Sequence, residues 1–472
     1  MSQTSGENLA DVPPSPLPLP AVAWRAWGVL GLVFAMHALD AADVWLMGAV
    51  LEPVRSELGL DELEAGWLST ALLLGAAIGG PIIGYLSDRL RRPRVLALAF
   101  AGWSLAAVAT GLARSSDQIQ AARTAAGAGG AATTVIALTL LADLFPRRAR
   151  GRAFSVLFLA VPVGAVLGRL LAAEVATAAG WQAAFLAVGA PGIPLALFAL
   201  LIPDPVRGTG EPAPASRLIL HDRQGPSPSD YVDLMVNSSF NYAIFGMTAA
   251  SFAIAGLAYW SPPWLMACGL AASRAEQVAG LILLSAAIAG LTAGGLVADG
   301  IAPARSRRLF LVPALAMFAA AAGLLATAYG PNPVAVEVGL LPAEAAMFFV
   351  VPIGFTILAG VTMPNMRGVA FGAAISAGHL LGDLWSPTLM GWVIDTCARD
   401  DTLATGLGRV LAVIGAVPVA RPGHDPENLV AGWLALLPAP LLAGAVLLAG
   451  VRHLPRELAL MIAKLRATPA SR

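Results

Sequence analysis

The sequence predicts an all-α membrane protein with twelve transmembrane helices arranged as two similar halves of six. Apolar residues make up 57% of the 472 residues and charged residues 12%, against about 25% charged residues in soluble domains. From Trp24 onward the apolar residues fall in stretches near the roughly 20 residues that a helix needs to cross a bilayer. Short motifs also occur twice at a nearly constant separation, which indicates two copies of one folding unit.

The duplication is seen in three pairs of motifs, whose members lie 211, 217 and 214 residues apart. The pairs are Gly84-x-x-x-Asp88 with Gly295-x-x-x-Asp299, Arg150-Gly-Arg-Ala-Phe154 with Arg367-Gly-Val-Ala-Phe371, and Gly164-x-x-x-Gly168 with Gly378-x-x-x-Gly382. Slightly different separations are expected of two copies that carry small insertions. In a strongly apolar protein, duplicated halves are typical of secondary transporters, in which one half rocks against the other.

The apolar stretches divide into two groups at one long polar segment. The predicted spans, numbered 1 to 12, are 24–51, 65–88, 93–113, 118–143, 152–176, 181–202, 238–267, 275–298, 307–328, 338–362, 368–394 and 429–451. The predicted domains are a disordered N-terminal tail (1–22), a first half (23–203), a linker (204–235), a second half (236–452) and a C-terminal tail (453–472). The N-terminal segment has neither a basic start nor a cleavage site, so it is not predicted to be a signal peptide.

Arginines are concentrated in alternate loops. They occur at 89–94, 147–152 and 305–308, in the linker and in the C-terminal tail, whereas the loops between these are poorly charged. By the positive-inside rule, both chain termini are expected in the cytoplasm. We therefore expect a multi-pass protein of a bacterial inner membrane, acting as a monomer.

Several function classes are disfavoured by the composition. The net charge is zero, which gives no reason to expect nucleic acid as a partner. The two cysteines, Cys268 and Cys397, fall in different halves and have no metal-site or redox spacing. No catalytic or nucleotide-binding motif occurs and no loop is long enough for a catalytic domain. We therefore expect neither an enzyme nor a protein with a cofactor or metal.

The loop after span 2 resembles the signature of the major facilitator superfamily, Gly-x-x-x-Asp-Arg. The resemblance implies twelve helices and a cytoplasmic gate in which Asp88 meets the N-terminus of a helix from the other half, where a carboxylate stabilises free N–H groups. The gate residues that it implies are Gly84, Asp88, Arg89, Asp299, Arg150 and Arg367. The alternative is a solvated turn that only satisfies the positive-inside rule.

A narrower resemblance, to the spinster family of lysolipid and sphingolipid transporters, rests on four spans. The similar motifs are Arg123-x-x-x-Gly127-x-Gly129 and Ala142-Asp143-Leu-Phe-Pro146 in span 4, Pro162-Val-Gly164-x-x-x-Gly168 in span 5, Gly246-x-Thr248-x-x-x-Phe252 and Leu257-Ala-Tyr-Trp260-Ser-Pro262 in span 7, and His379-Leu-Leu-Gly-Asp383-Leu-Trp-Ser-Pro387 in span 11. The family usually has Asp-Arg in span 1 and Gly-Glu-Ala in span 4, where this chain has Asp40-Ala41 and Gly129-Gly130. Lipid specificity and proton coupling therefore do not carry over directly.

A few ionisable residues lie inside the predicted spans, where they are costly unless they face a cavity or a partner. His37, Asp40 and Asp43 repeat every three residues along one face of span 1. With Arg123 and Arg169, the two acids lie roughly 10–16 Å from the predicted outer ends at 1.5 Å per residue. We expect these four charged residues to form a balanced cluster lining the cavity.

The second half offers the opposite charge at the equivalent place. Asp383 lies 214 residues after Arg169 and His379 lies one turn before it, so the cavity is expected to carry opposite charges on its two walls. The predicted substrate-binding or proton-coupling residues are His37, Asp40, Asp43, Arg123, Gly130, Arg169, His379 and Asp383.

Structural alternatives stay open for several of these residues. Arg123 would also suit an interfacial position in which its side chain reaches the bilayer surface. Asp43 would also suit a surface cap, and His379 a packing position between helices. Glu344 near the outer end of span 10 is expected to be interfacial, and the glycine pairs of spans 5 and 11 are expected to be packing seams.

The predicted function is secondary active transport by alternating access. The substrate is expected to be a small or amphipathic organic molecule, with a lysolipid-like amphiphile favoured by the spinster resemblance, and coupling to protons is expected through Asp40. One alternative is an exporter or importer of a non-lipid organic acid or drug. Another is a membrane sensor or scaffold that binds without transporting.

Overall fold

A computed structural model describes residues 24–211, 226–301, 303–330, 333–421 and 424–467. Within these ranges, eleven helices are long and apolar enough to cross a membrane: Trp24–Leu58, Glu64–Arg89, Arg92–Leu112, Ser116–Leu144, Arg147–Ala179, Trp181–Ala199, Ser238–Ala267, Ala272–Gly300, Arg308–Ala328, Val334–Val361 and Leu429–Gly450. They correspond to predicted spans 1–10 and 12. The predicted N-terminal tail, 1–22, lies outside the described residues.

Span 11 is helical but interrupted. It consists of an α-helix Arg367–Ala377, a π-helical segment Gly378–Asp383 and a second α-helix Ser386–Thr396. Span 5 contains a π-helical segment as well, Leu171–Ala176. π-Segments inside α-helices are often found at functional sites. Spans 5 and 11 are the fifth spans of the two halves, so each half carries such a segment in the equivalent span.

Three of the four glycines in the pairs of spans 5 and 11 lie in close-packed seams, whereas a Cβ atom on Gly378 would have its nearest neighbour, the Ser251 hydroxyl oxygen, only at 4.0 Å. A Cβ atom on Gly168 would lie 3.0 Å from the backbone nitrogen of Leu46 in span 1. A Cβ atom on Gly382 would lie 3.0 Å from the carbonyl oxygen of Thr248 in span 7. Small residues at these two positions, which are equivalent in the two halves, let the helix backbones approach closely.

The two halves meet most extensively at the end of the bundle that carries the loops 89–94, 147–152 and 305–308. We call this end the arginine-rich face. There span 2 packs against Arg367–Ala377 of span 11, and Arg147–Phe158 of span 5 packs against span 8. Close helix packing between the halves closes the structure on this face.

Several structured segments lie outside the predicted spans. The linker contains a helix, Pro228–Met235, which begins with a capping box between Ser227 and Asp230. Two short helices, Asp400–Leu403 and Gly406–Val413, and an antiparallel pair of strands, Val419–Arg421 and His424–Glu427, follow span 11. The C-terminal segment forms the helix Leu454–Ala467. The Glu457 carboxylate accepts hydrogen bonds of 3.1 and 2.9 Å from the backbone N–H groups of Ser238 and Ser239, where span 7 begins.

Candidate functional site

A chain of hydrogen-bonded polar side chains joins span 1 to span 4 near the middle of the first half. His37 Nδ1 lies 3.1 Å from the hydroxyl of Thr133, and that hydroxyl lies 3.3 Å from the Asp40 carboxylate. His37 and Asp40 are themselves 3.7 Å apart. The Asp40 side chain is 16% exposed, so the protein does not enclose it completely.

Gly130 lies directly against Asp40. A Cβ atom on Gly130 would overlap the Asp40 carboxylate, with the carboxylate carbon 3.0 Å away. Gly130 stands where the spinster family usually has glutamate. In this chain the Asp40 carboxylate of span 1 occupies the space that a side chain at position 130 would need.

Asp43 and Arg123 form a separate, buried ion pair between spans 1 and 4. Arg123 Nη1 lies 2.7 Å from Asp43 Oδ2, and the two side chains are 1% and 0% exposed. The guanidinium group also lies 5.7 Å from the centre of the Phe185 ring. The interfacial position for Arg123 and the surface cap for Asp43 are therefore wrong, because both side chains are enclosed by protein.

Arg169 lies apart from this pair. Its guanidinium carbon is 5.0 Å from the centre of the Trp45 ring, and its Nη1 lies 2.7 Å from where a Cβ atom on Gly280 in span 8 would be. No ion pair joins Arg169 to an acid within the described ranges. Of the four residues predicted to form one cluster, Asp43 and Arg123 therefore pair with each other, whereas Arg169 extends to the second half.

The second half carries a smaller polar group on spans 7 and 11. His379 Nδ1 lies 2.9 Å from Asp383 Oδ2, and the hydroxyl of Ser251 donates a hydrogen bond to the other carboxylate oxygen. His379 and Asp383 are 27% and 26% exposed and belong to the π-helical segment of span 11. His379 thus combines a hydrogen bond with partial exposure.

Aromatic rings fill the space between the halves on the side towards the arginine-rich face. Phe158 of span 5 stacks on Phe355 of span 10 with ring centres 5.0 Å apart. Phe371 of span 11 meets the edges of Phe355 at 5.8 Å and Phe154 at 6.2 Å. Phe154 and Phe371 end the same repeated motif, so the two copies of this motif contact each other across the interface. We call these four phenylalanines the aromatic layer.

Beyond the aromatic layer, each half caps a helix of the other. Asp88 accepts hydrogen bonds from the backbone N–H groups of Gly368 at 2.7 Å and Val369 at 3.0 Å, where span 11 begins. A Cβ atom on Gly84 would lie 2.9 Å from the Cα atom of Val369, so glycine is needed for this approach. The arrangement has the geometry expected of the repeated motif, with a carboxylate at a helix N-terminus.

The second copy of the motif is used in the same way. Asp299 accepts hydrogen bonds from the backbone N–H groups of Gly151 at 2.7 Å and Arg152 at 3.1 Å, near the start of span 5. Arg152 also donates its side-chain Nε to the carboxylate at 2.6 Å. Two equivalent caps therefore connect span 2 to span 11 and span 8 to span 5.

Arginines occupy the outermost layer of the arginine-rich face. Arg150 and Arg367 are buried, and each donates to the carbonyl oxygen eight residues before it, that of Ala142 at 2.5 Å and that of Ala359 at 2.9 Å. Arg89 instead donates to the Pro226 carbonyl oxygen at 2.9 Å. Arg89 therefore binds the linker, whereas the other two arginines lie at the interface between the halves.

Residues that the sequence did not single out as site residues complete this layer. Buried Arg92 pairs with Asp143 at 2.5 Å and with Asp204 at 2.8 Å, and Glu211 pairs with Arg150 at 3.1 Å. Asp143 lies in a motif that the spinster resemblance contains, but no motif or periodicity in the sequence singles out the two linker acids, Asp204 and Glu211.

Glu344 of span 10 is 2% exposed, so the interfacial position predicted for it is wrong.

Comparison with known sequences agrees with this architecture. The sequence model of the protein family described as Major Facilitator Superfamily matches residues 33–387 of this chain. The Drosophila melanogaster protein named spinster is 26% identical over 438 residues, which cover 87% of this chain and 70% of the relative. Spinster homolog 3 of Mus musculus is 29% identical over 405 residues, covering 81% of this chain and 78% of the relative.

Solved structures show the same fold. The proton:xylose symporter XylE gives a TM-score of 0.67 at 16% identity, with 90% of this chain and 95% of the other covered. A bacterial homolog of the human lysosomal transporter spinster, inward-facing and unoccupied, gives 0.56 at 19% identity, with 94% and 97% covered. The transporter FucP in the outward conformation gives 0.64 at 16% identity, with 90% and 97% covered. This multi-pass membrane protein therefore belongs to the major facilitator superfamily, as a secondary transporter related to the spinster proteins.

Proposed function

We propose that the chain moves a lysolipid-like amphiphile across the bacterial inner membrane by alternating access, coupled to protons through Asp40. The observation that carries the proposal is the position of the partly exposed polar groups. Asp40 in the first half and His379 with Asp383 in the second are exposed by 16–27% although they lie inside spans. Ionisable side chains at such depth face a water-filled cavity and mark a substrate or ion pathway.

Proton coupling is assigned to Asp40 because the two acids of span 1 differ in their partners. Asp43 is enclosed with Arg123 in an ion pair, and protonating it would leave a buried cation without its counter-ion. Asp40 is hydrogen-bonded to a neutral threonine and lies 3.7 Å from His37. A proton added to Asp40 therefore breaks no ion pair with an arginine, and the carboxyl group keeps its solvent access.

The substrate class is inferred from the charges on the two walls. Arg169 supplies a cation from span 5, whereas Asp383 supplies an anion from span 11. A zwitterionic headgroup would complement both, with its anionic part towards Arg169. Phe158, the partly exposed member of the aromatic layer, and Trp45 give apolar contact area for a hydrocarbon chain. Spinster-like motifs in spans 4, 5, 7 and 11 favour the same class.

We assign the arginine-rich face to the cytoplasm, because loops rich in arginine are retained there. With this orientation both termini are cytoplasmic. The conformation then has its cytoplasmic side closed by the aromatic layer and the two helix caps, and a substrate would reach the polar groups from the outer side.

Ligand-induced thermal stabilisation of the purified protein tests the proposed substrate. Stabilisation grows with the logarithm of ligand concentration over its dissociation constant, so a zwitterionic lysolipid should raise the melting temperature more than an anionic lysolipid, a short organic acid or a cationic drug. Arg169→Gln should remove this rise. Arg114→Gln is the matched control, because Arg114 is an exposed loop residue.

Two other outcomes of these measurements would favour the alternative functions. Stabilisation by the organic acid or the drug alone would favour the alternative of a non-lipid transporter. Stabilisation by a lysolipid that the protein, reconstituted in vesicles, fails to move under a pH gradient would favour the sensor or scaffold.

A further inference from the structure

The helix Gly406–Val413 is fixed between the ends of spans 11 and 12. We call it the surface helix. Leu411 is buried and packs with Cys397, which directly follows the last helix of span 11. The buried Asn428 side chain, just before span 12, donates to the carbonyl oxygens of Cys397 at 3.2 Å and of Ala416 at 2.9 Å. Since span 11 begins at the arginine-rich face, the surface helix lies at the opposite end of the bundle.

The surface helix has three chemically different sides, because residues three or four apart lie on the same side of a helix. Gly408 and Leu411 are buried on the first side. The second side is apolar and 40–56% exposed, and its residues are Leu407, Val410 and, just after the helix, Ile414. Arg409 and Ala412 are exposed on the third side, which carries a charge. One side therefore packs on protein, one presents apolar groups to the surroundings and one is suited to water.

Two exposed aromatic residues indicate the depth of the surface helix in the bilayer. Trp392 lies in the last turns of span 11, and Tyr329 directly follows span 9. Tryptophan and tyrosine at the ends of spans are typical of the membrane–water interface. A Cβ atom on Gly415, two residues after the surface helix, would lie 3.8 Å from the Tyr329 ring. The surface helix therefore lies at the level of the interface.

The surface helix follows the periphery of the second half. It begins after span 11, and the residues that follow it reach the end of span 9 at Tyr329. Span 9 makes its extensive contacts with spans 10 and 12 of the same half, whereas the candidate substrate-binding groups lie on spans 1, 5, 7 and 11. The apolar side is therefore placed to meet lipid at the rim of the bundle.

We propose that the surface helix is an interfacial helix whose apolar side enters the lipid leaflet opposite the arginine-rich face. Helices of this kind lie in the membrane plane, with the apolar side about 5–10 Å into the boundary between headgroups and acyl chains. Arg409 then lies towards the lipid phosphates and the water. Through the contacts of Leu411 and Asn428, the leaflet holds the ends of spans 11 and 12 at a fixed depth.

Spin labels on single cysteines test this placement without any substrate. The full chain, with Cys268 and Cys397 replaced by alanine, is reconstituted in phospholipid nanodiscs, and collisions of each label with oxygen and with a nickel chelate are measured. Oxygen concentrates in lipid, whereas the chelate stays in water. Labels at Leu407→Cys and Val410→Cys should give an oxygen-to-nickel accessibility ratio at least about threefold higher than labels at Arg409→Cys and Ala412→Cys, the matched controls on the same helix.

Leu441→Cys supplies the reference for lipid, because Leu441 is exposed within span 12. A lipid-like ratio at Leu441 with equal ratios on both sides of the surface helix would place the apolar side in water and overturn the proposal, leaving the proposed function intact. Low collision rates with both reagents at Val410 would show that protein covers this side. Spin–spin broadening between labels of two copies would identify the cover as a second copy of the chain. Either result would also overturn lipid contact, and Leu407→Cys keeps the test open if Val410→Cys does not fold.

Discussion

Replacing Asp88 by asparagine is the most direct perturbation of the closed face. The carboxylate holds the N–H groups of Gly368 and Val369 at 2.7 and 3.0 Å, and its charge lies at the start of a helix from the other half. Asparagine keeps one oxygen acceptor but turns its amide group towards the second N–H group. The variant therefore loses about one charge-assisted hydrogen bond and the helix-dipole interaction.

The expected magnitude follows from these two losses. A hydrogen bond to a charged group contributes about 1.5–3 kcal/mol, and a charge at a helix terminus about 0.3–1 kcal/mol. The total is about 2–4 kcal/mol, and its lower end corresponds to a roughly 30-fold increase in the ratio of open to closed states, since about 1.4 kcal/mol is a factor of ten. Because the two states interconvert, this ratio should appear directly in the accessibility of the interface.

The assay is the rate at which a cysteine at position 155 reacts with a thiol reagent. Ser155 is buried and donates to the carbonyl oxygen of Leu291 across the interface at 2.6 Å, so Ser155→Cys is a nearly isosteric reporter located away from Asp88. Asp61→Asn is the control, because Asp61 caps its own helix at Glu64 and contacts no residue of the other half there. A labelling rate unchanged by Asp88→Asn, or raised as much by Asp61→Asn, would refute the gate.

Three further predictions concern spans 1 and 4. Asp40→Asn should abolish uphill transport driven by a pH gradient while changing ligand binding by less than about 2 kcal/mol; continued accumulation of substrate would refute coupling at Asp40. Asp43→Asn should lower the free energy of unfolding by about 3–5 kcal/mol because it leaves Arg123 buried without a counter-ion, and Asp43→Leu with Arg123→Met should recover part of this in thermal unfolding. Equal losses in the single and double variants would contradict the pair. Gly130→Ala should cost about 1–3 kcal/mol through overlap with Asp40, and adding Asp40→Ala should relieve it; additive losses would show that the two positions do not compete for space.

The positions of the spans could be predicted because each depends on a local property. A run of about 20 apolar residues has to form a helix in a bilayer, where backbone groups find no water partners. Eleven of the twelve predicted stretches accordingly coincide with helices of membrane-spanning length in the described part of the chain, and span 11 coincides with an interrupted helix. Span 1 continues to Leu58 instead of ending at 51. The prediction ended too early because the last turns of this helix carry charged residues and so do not belong to the apolar stretch.

The partners of the charged residues could be predicted only where a motif occurs twice. Asp88 and Asp299 stand in equivalent positions, so a shared role as caps was a natural expectation. Glu211 gave no such signal, because a single acid in a polar linker has neither periodicity nor a counterpart. Its partners lie 61 and 156 residues away in sequence. Similarly, depth along the helices indicated that Asp43 and Arg123 lie close together, but not that they pair while Arg169 turns to Trp45.

The distribution of strong and weak contacts explains how such a molecule can rock about its midplane. Within the first half, Asp43 and Arg123 form an enclosed ion pair whose separation would leave a charge buried. Between the halves, the contacts are backbone N–H groups on Asp88 and Asp299, aromatic edges, the buried ion pair of Arg367 with Asp143, and one glutamate shared by two arginines. Each contact between the halves involves groups that water can satisfy on opening, so the interface separates at moderate cost. We therefore expect the halves to move as rigid units, with the ratio of open to closed states set by a few residues on the arginine-rich face.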